Sequence, residues 1–327
     1  METIRRTTWM LFCAALAGMT CSTSGWTQAY PTHPVRVIVP AAAGGPSDVI
    51  GRILAQKLSE RLGQQFYVEN IPAGAGNAGI GLAAKAPADG YTILTPTSAV
   101  VVNPSLYAKL PYDTLKDFAP VTLVAASPHV MTVSPAVPAG SVKELIALVR
   151  ANPGKYSYAS PGTGTTGQLA GELFKLSLGL DLVHVPFNGG APAVLSTIGG
   201  HTPIAFTALP AAASYIKSGE LRALAVTSAQ RAAEFPDVPT LAELGFPEQI
   251  SDFVQCLLVP TGTPKDVIDK LYRETARIVA LPEVKEHLRQ IGYSPVANTP
   301  EEFAVQIKAE VAKWARVIRD AGIKQIE

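Results

Sequence analysis

Val35-Arg36-Val37-Ile38-Val39-Pro40-Ala41-Ala42-Ala43-Gly44-Gly45-Pro46-Ser47-Asp48 reads as a buried apolar strand, a glycine-rich turn and the start of a helix. The same order returns where a strand over residues 156–159 runs into Ser160-Pro161-Gly162-Thr163-Gly164-Thr165-Thr166-Gly167. Helix N-termini carry unpaired N–H groups and a partial positive charge, and a turn of small residues lets an anion reach them. Two such turns, far apart in the chain, predict one in each of two lobes that close on a small carboxylate.

Outward from these turns the chain alternates strands and helices. After the first turn, Ile50, Ile53, Leu54, Leu58 and Leu62 share one helix face, and Gly63 stops it. Strands are expected at 66–68 and 91–94, with a short helix at 80–85 between them. Residues 103–120 read as irregular, with separate extended segments at 121–125 and 130–133. Ser141-Val142-Lys143-Glu144 is a capping box opening a helix to about Ala151. After the second turn come a helix over 168–178, a strand over 182–185, and strands at 204–206 and 221–226 around another helix. The apolar run 253–259 reads as a strand returning to the first lobe. Thr263 is expected to cap a helix with Pro264 at its first position. Thr299-Pro300-Glu301-Glu302 opens the last helix, whose stripe Phe303, Ile307, Val311, Trp314 and Ile318 is core packing. Strands alternating with helices imply an α/β fold whose mainly parallel sheets are covered on both faces.

Residues 1–29 have the pattern of a cleaved export signal: basic Arg5-Arg6, a short apolar run over 9–19, and Ala29 as the cleavage-site residue. That apolar run is too short to span a bilayer. Cys21 raises a lipoprotein alternative, but Gly18-Met19-Thr20 is a poor lipidation box. The whole chain has 27 basic and 26 acidic residues, and the leader takes Glu2, Arg5 and Arg6 with it. The mature charge is balanced, which argues against nucleic-acid partners. Cys256 alone would survive cleavage, so no internal disulfide follows.

The chemical motifs are weak. Gly74-Ala75-Gly76-Asn77-Ala78-Gly79 and Gly162-Thr163-Gly164-Thr165-Thr166-Gly167 match GxGxxG, but neither is followed by an acidic residue ending the next strand. No phosphate loop or nucleophile elbow occurs. The five histidines are scattered, with no spacing that suits a metal. His184 reads as a satisfied core histidine within a buried strand. Asp48 has two readings, helix cap or ligand contact. No cofactor, metal or catalytic constellation is expected.

A family resemblance emerges from these residues. Tyr30-Pro31, Pro34 to Asp48, Val68-Glu69-Asn70, Ala88-Asp89-Gly90-Tyr91, Lys116-Asp117-Phe118-Ala119-Pro120, His184-Val185-Pro186 and Pro236-Asp237-Val238-Pro239-Thr240 resemble the Bug-type periplasmic receptors of tripartite tricarboxylate transporters. The resemblance covers the mature chain. It implies a two-lobed periplasmic-binding-protein fold, type II-like, with lobe 1 at 30–129 plus 254–327 and lobe 2 at 130–253. It implies a periplasmic, monomeric, non-enzymatic receptor that passes a small organic acid to membrane permease subunits. A signalling receptor and an enzyme on the same scaffold are the alternatives. Carried onto this chain, the ligand contacts are Ala42, Gly45, Ser47, Asp48, Thr97 and Ser98 in the first lobe. In the second they are Ser160, Gly164, Thr165, Thr166, Phe187, Asn188, Gly189 and Thr207.

The chain departs from the family pattern at Gln168, often His; at Phe187-Asn188, often Tyr-Lys; and at Thr207, commonly Asp. Losing that Asp argues against an amino-acid ligand, whose ammonium needs an acidic partner. The hydroxyls of Ser47, Thr97, Ser98, Ser160, Thr165, Thr166 and Thr207 are expected to hold a carboxylate without a buried cation. Phe187 is either an apolar wall of the site or packing beneath its loop. The expected ligands are mono- or dicarboxylic acids with an apolar or unsaturated middle, aromatic acids or ring-cleavage products among them, ahead of citrate or zwitterionic amino acids. Replacing Gly164 with valine is expected to crowd the anion's approach to the helix N-terminus and to strain the turn.

Overall fold

The computed structural model describes residues 30–327, so the export signal read over 1–29 lies outside the described residues. In chain order the elements are β1 (Val35–Val39), α1 (Pro46–Leu62), β2 (Phe66–Asn70), α2 (Asn77–Ala84), β3 (Thr92–Leu94), α3 (Ala99–Leu106), α4 (Thr114–Asp117) and β4 (Phe118–Val133). Next come α5 (Val142–Arg150), β5 (Tyr156–Ser160), α6 (Thr166–Leu178), β6 (Leu182–Pro186), α7 (Gly190–Ile198), β7 (Ile204–Ala208), α8 (Leu209–Lys217) and β8 (Arg222–Val226). A 3₁₀ turn at Pro247–Gln249 leads to β9 (Asp252–Pro260), α9 (Lys265–Val279), α10 (Pro282–Gln290), β10 (Ser294–Pro295) and α11 (Pro300–Asp320).

The strands lie in the order β2-β1-β3-β9-β4-β7-β5-β6, with β8 and β10 also paired to β4. β1 is parallel to β2 and β3, and β5 is parallel to β6 and β7. The middle is antiparallel: β9 pairs with β3 and β4, and β4 pairs with β7 and β8. The sheet is therefore mixed, and the parallel expectation holds only for its two outer parts.

β4 corrects the two separate segments expected from sequence. It is one continuous strand. Its stretch from Phe118 to Pro128 pairs with β9, and from His129 to Val133 it pairs with β7. Proline lacks an N–H, yet Pro120 sits at a register shift and Pro128 sits where partners change, so neither breaks the strand. The stretch 103–120 also differs from expectation, since α3 and α4 occupy much of it. The Val100–Val102 run and Pro104 disfavour a helix locally. Burial of Val100, Val101, Val102 and Leu106 in the core overrides that preference.

Other expectations differ only at boundaries. α2 starts at Asn77, α6 at Thr166, and β5, β6 and β7 end one or two residues later. Thr263 is not the cap of α9. Its hydroxyl donates to Pro260 O at 2.7 Å, and Pro264 itself is the N-cap. The Thr299–Glu302 capping box is present in full. On α11, Phe303, Ile307, Trp314 and Ile318 are buried, with Val311 partly buried beside them.

Two main apolar cores result. One gathers Ile38, Leu94, Val100, Leu123, Leu258 and Trp314. The other gathers Met131, Val142, Tyr158, Phe174, Phe206 and Leu224. Leu169 and Leu173 of α6 pack with the first core although their helix follows the second turn.

Candidate functional site

Parallel strands bring the two glycine turns to strand C-terminal ends, where open α/β sheets present loops to ligands. β1 and β3 are adjacent, so Pro40–Asp48 and Thr95–Ser98 form one cluster; Thr95 N donates to Ile38 O at 2.9 Å. β5, β6 and β7 are adjacent, so Ser160–Gly167, Phe187–Gly189 and Thr207 form a second. There Phe187 N donates to Ser160 O at 3.0 Å, and Gly189 N donates to Pro161 O at 2.9 Å.

In the first cluster Gly45 is the N-cap of α1, and the first helical residue is a proline, which has no N–H to satisfy. The N–H groups of Ser47 and Asp48 have no partner among the described residues. Asp48 is buried, and both its carboxylate oxygens are hydrogen-bonded within the protein. Its Oδ2 accepts from Gly44 N at 2.8 Å and Arg52 Nε at 2.9 Å, and its Oδ1 accepts from Asn70 Nδ2 at 2.9 Å. Burial alone would raise this carboxyl, but the bonds from Arg52, Gly44 and Asn70 outweigh it and hold the group below the usual range. Asn70 also donates to Ala41 O at 3.1 Å, tying β2 to the turn. Ala42 is exposed. The Ser47 hydroxyl makes no hydrogen bond among the described residues. Thr97 Oγ1 accepts from Ala99 N at 3.2 Å and keeps its proton free.

The Ser98 hydroxyl is engaged within the fold. Ser98 is 2% exposed, accepts from Val254 N at 2.9 Å and donates to Asp252 O at 3.4 Å. Its hydroxyl is thus bound to β9. Beside it lies a cavity of about 50 Å³, also lined by Asp252, Gln306 and Glu310. Burial pushes the Asp252 carboxyl up to about 7, and Oδ1 is enclosed without a partner among the described residues.

The second cluster is more internally bonded. Gly164 N donates to Gln168 Oε1 at 2.6 Å, so that N–H is not available to a ligand. Thr165, the N-cap of α6, accepts from Gln168 N at 3.3 Å and donates to Gly162 O at 2.7 Å. Ser160 is fully buried and meets His184 Nε2 at 2.7 Å. Thr166 is 6% exposed and meets His129 Nε2 at 3.0 Å. Thr207 is fully buried, and its Oγ1 has no partner among the described residues. Phe187 packs on Ala159, Ala193 and Ala205, which favours its reading as packing beneath the loop. Asn188 is exposed. The N–H groups of Thr166 and Gly167 lack partners among the described residues, as the start of a helix requires.

Sequence reading missed three contributors here. Thr163 is exposed in mid-turn, with a hydroxyl that makes no bond among the described residues. His129 is buried, and burial holds it down at about 4, so it is neutral. His184 lies not in a buried strand but on β6, the sheet's edge, and is partly buried. Burial lowers it as well, against the opposing charge of Glu172. Gly164 makes strain the first effect of the valine substitution expected from sequence. Its φ is +79°, and a Cβ there would lie 2.3 Å from Leu106 Cδ2. Valine would strain the fold before it met any ligand.

The family model for the tripartite tricarboxylate transporter family receptor (TctC) matches residues 50–323. The chain is 36% identical to Protein BugT of Bordetella pertussis over 312 residues, 95% of each chain. A solved structure described as a periplasmic transporter is 42% identical, with TM-score 0.74 over 90% of this chain and 99% of that one. Rpa4515 of R. palustris, solved with adipate, is 34% identical, with TM-score 0.75 over 91% and 100%.

Proposed function

This chain belongs to the tripartite tricarboxylate transporter receptor family, and from that premise we propose that it captures a small organic acid in the periplasm for a membrane permease. The observation that carries the reading is the pair of helix starts. Ser47 and Asp48 on one, Thr166 and Gly167 on the other, hold backbone N–H groups without partners among the described residues. Such groups bind a carboxylate without a buried cation.

In this reading Ala42, Gly45, Ser47, Thr97, Thr163, Asn188 and Gly189 face the ligand, while Phe187 packs beneath its loop. Asp48, Ser98, Ser160, Gly164, Thr165, Thr166 and Thr207 hold those surfaces in place. The lobes are 30–129 with 254–327, and 130–253, with β4 and β9 as the crossovers. The protein is exported by cleavage near Ala29, acts as a monomer and performs no catalysis. Its work is a population shift between open and closed lobes. Adipate, bound by the R. palustris relative, has two carboxylates and an apolar middle, the chemistry expected from this sequence.

Competition calorimetry among adipate, muconate, citrate and glutamate tests the reading. Tightest binding is expected for adipate or muconate. Tightest binding by glutamate would overturn it, since Thr207 offers no negative charge to an ammonium.

A further inference from the structure

The side chains under the second turn form one hydrogen-bonded chain, and its direction is fixed by an atom with a single role. The Gly164 N–H can only donate. It meets Gln168 Oε1 at 2.6 Å, so the other end of that amide is the NH₂. The NH₂ faces His184 Nδ1 at 3.3 Å, so Nδ1 accepts and the ring proton sits on Nε2. Nε2–H then donates to Ser160 Oγ at 2.7 Å. Ser160 also accepts from Gly162 N at 3.2 Å and gives its own proton to Gly162 O at 3.3 Å. The opposite tautomer would set two donors against each other at Nδ1. Flipping the amide to relieve that would set two donors against each other at Gly164.

His129 shows the reverse arrangement. Ser251 O can only accept, so His129 Nδ1, 2.9 Å away, carries the proton. Nε2 then accepts from the Thr166 hydroxyl at 3.0 Å. The hydroxyl protons of Ser160, Thr165 and Thr166 are therefore all directed into the protein.

We propose that Gln168 is a positioning residue: through His184 and Ser160 it fixes the hydrogen-bond direction of the second glycine turn, so that the ligand's carboxylate is held there by backbone N–H and not by the turn's buried hydroxyls. The proposal rests on the carboxylate-receptor reading above. The two-ended amide of Gln168 suits the role. One end holds the backbone of the turn, and the other sets the histidine.

Long-range ¹H–¹⁵N spectra of the full chain without ligand test the assignment. The expected signature is a protonated Nε2 on His184 and a protonated Nδ1 on His129. Gln168→Glu keeps an acceptor for Gly164 N–H but presents a second acceptor to His184, so its Nδ1 should gain a proton. Gln168→Leu should leave His184 as a tautomer mixture and weaken adipate binding by about tenfold in calorimetry. A proton on Nδ1 of wild-type His184, or a Gln168→Glu spectrum unchanged at that ring, would overturn the proposal. So would a folded Gln168→Leu protein with wild-type tautomer and affinity. Because the spectra need no ligand, failure of every acid to bind would count against the receptor reading alone.

Discussion

The two glycine turns look alike in sequence and are built in opposite ways. The first is held by charge: buried Asp48 draws in Gly44 N, Arg52 and Asn70, and the hydroxyls of Ser47 and Thr97 are left with free protons. The second is held by neutral groups: Gln168, His184 and Ser160 form one chain, Thr165 bonds Gly162 O and Gln168 N, and His129 bonds Thr166. The difference teaches that a hydroxyl beside an anion-binding turn is not by that fact a ligand contact. In the first turn a carboxylate does the holding and frees the hydroxyls. In the second the buried carboxylate of Glu172 bonds Tyr158 and not the turn, so the hydroxyls do the holding.

The comparison breaks most sharply at glycine. Gly44 and Gly164 both have positive φ, +83° and +79°, but only Gly164 has a neighbour, Leu106, where a Cβ would stand. Gly164→Ala should cost about 3 kcal/mol or more from strain plus overpacking, and Gly44→Ala about 1 kcal/mol from strain alone. Urea denaturation of both variants measures this, and equal losses would mean that Leu106 yields freely.

Acid should separate the turns next. His129 titrates at about 4 when folded against 6.5 unfolded, so the unfolded chain binds the extra proton first. Its contribution, roughly 3 kcal/mol at most, is complete above pH 6.5 and is lost as the pH falls toward 4. Asp48 is held below its ordinary value of 3.8, so its contribution is present above 3.8 and is lost only as the pH falls further. The second turn's support should fail at milder acidity than the first's. Denaturation series across pH on His129→Gln and Asp48→Asn would show it: the former flattens the slope above pH 4, the latter the slope below. A His129→Gln slope equal to the wild type's between 6.5 and 4 would contradict the assignment; the wild-type slope alone does not decide it, because Asp252, pushed up to about 7, contributes with the opposite sign in that window.

The smallest contrast lies in single hydroxyls. Ser47→Ala should weaken adipate binding by about tenfold with little change in stability. Ser160→Ala should cost about 1 kcal/mol of stability, because it unpairs His184 Nε2 and Gly162 N. Calorimetry and thermal melts on the pair would sharpen the division, and a reversed pattern would exchange the two roles.

Much of the fold was legible because its signals are local. Ile50, Leu54 and Leu58 recur at helical spacing, and Thr299 and Glu302 cap a helix within four residues. What stayed hidden depended on distant partners. β4 looked like two strands because Pro128 is a break in sequence, whereas in the sheet it is the point where one partner replaces another. The end of α3 looked irregular because Pro104 opens a Pro- and Tyr-rich stretch that argues against a helix until the core that buries Leu106 exists. The glycine turns themselves were found from residue type and spacing. Which of their hydroxyls are free was not, since Ser98 is bonded to β9 and Ser160 to β6, far along the chain.

The sequence by itself determined the alternation of strand and helix, the two small-residue turns that open helices, and the family likeness, because each follows from short-range pattern. Only the tertiary structure decided the hydrogen-bond directions: which proton His129 and His184 carry, and whether Ser47 or Ser160 has one to give. A hydroxyl or an imidazole can serve as donor or acceptor. Its role is set by the single-role groups packed against it, the Gly164 N–H and the Ser251 carbonyl, which the fold alone brings within reach.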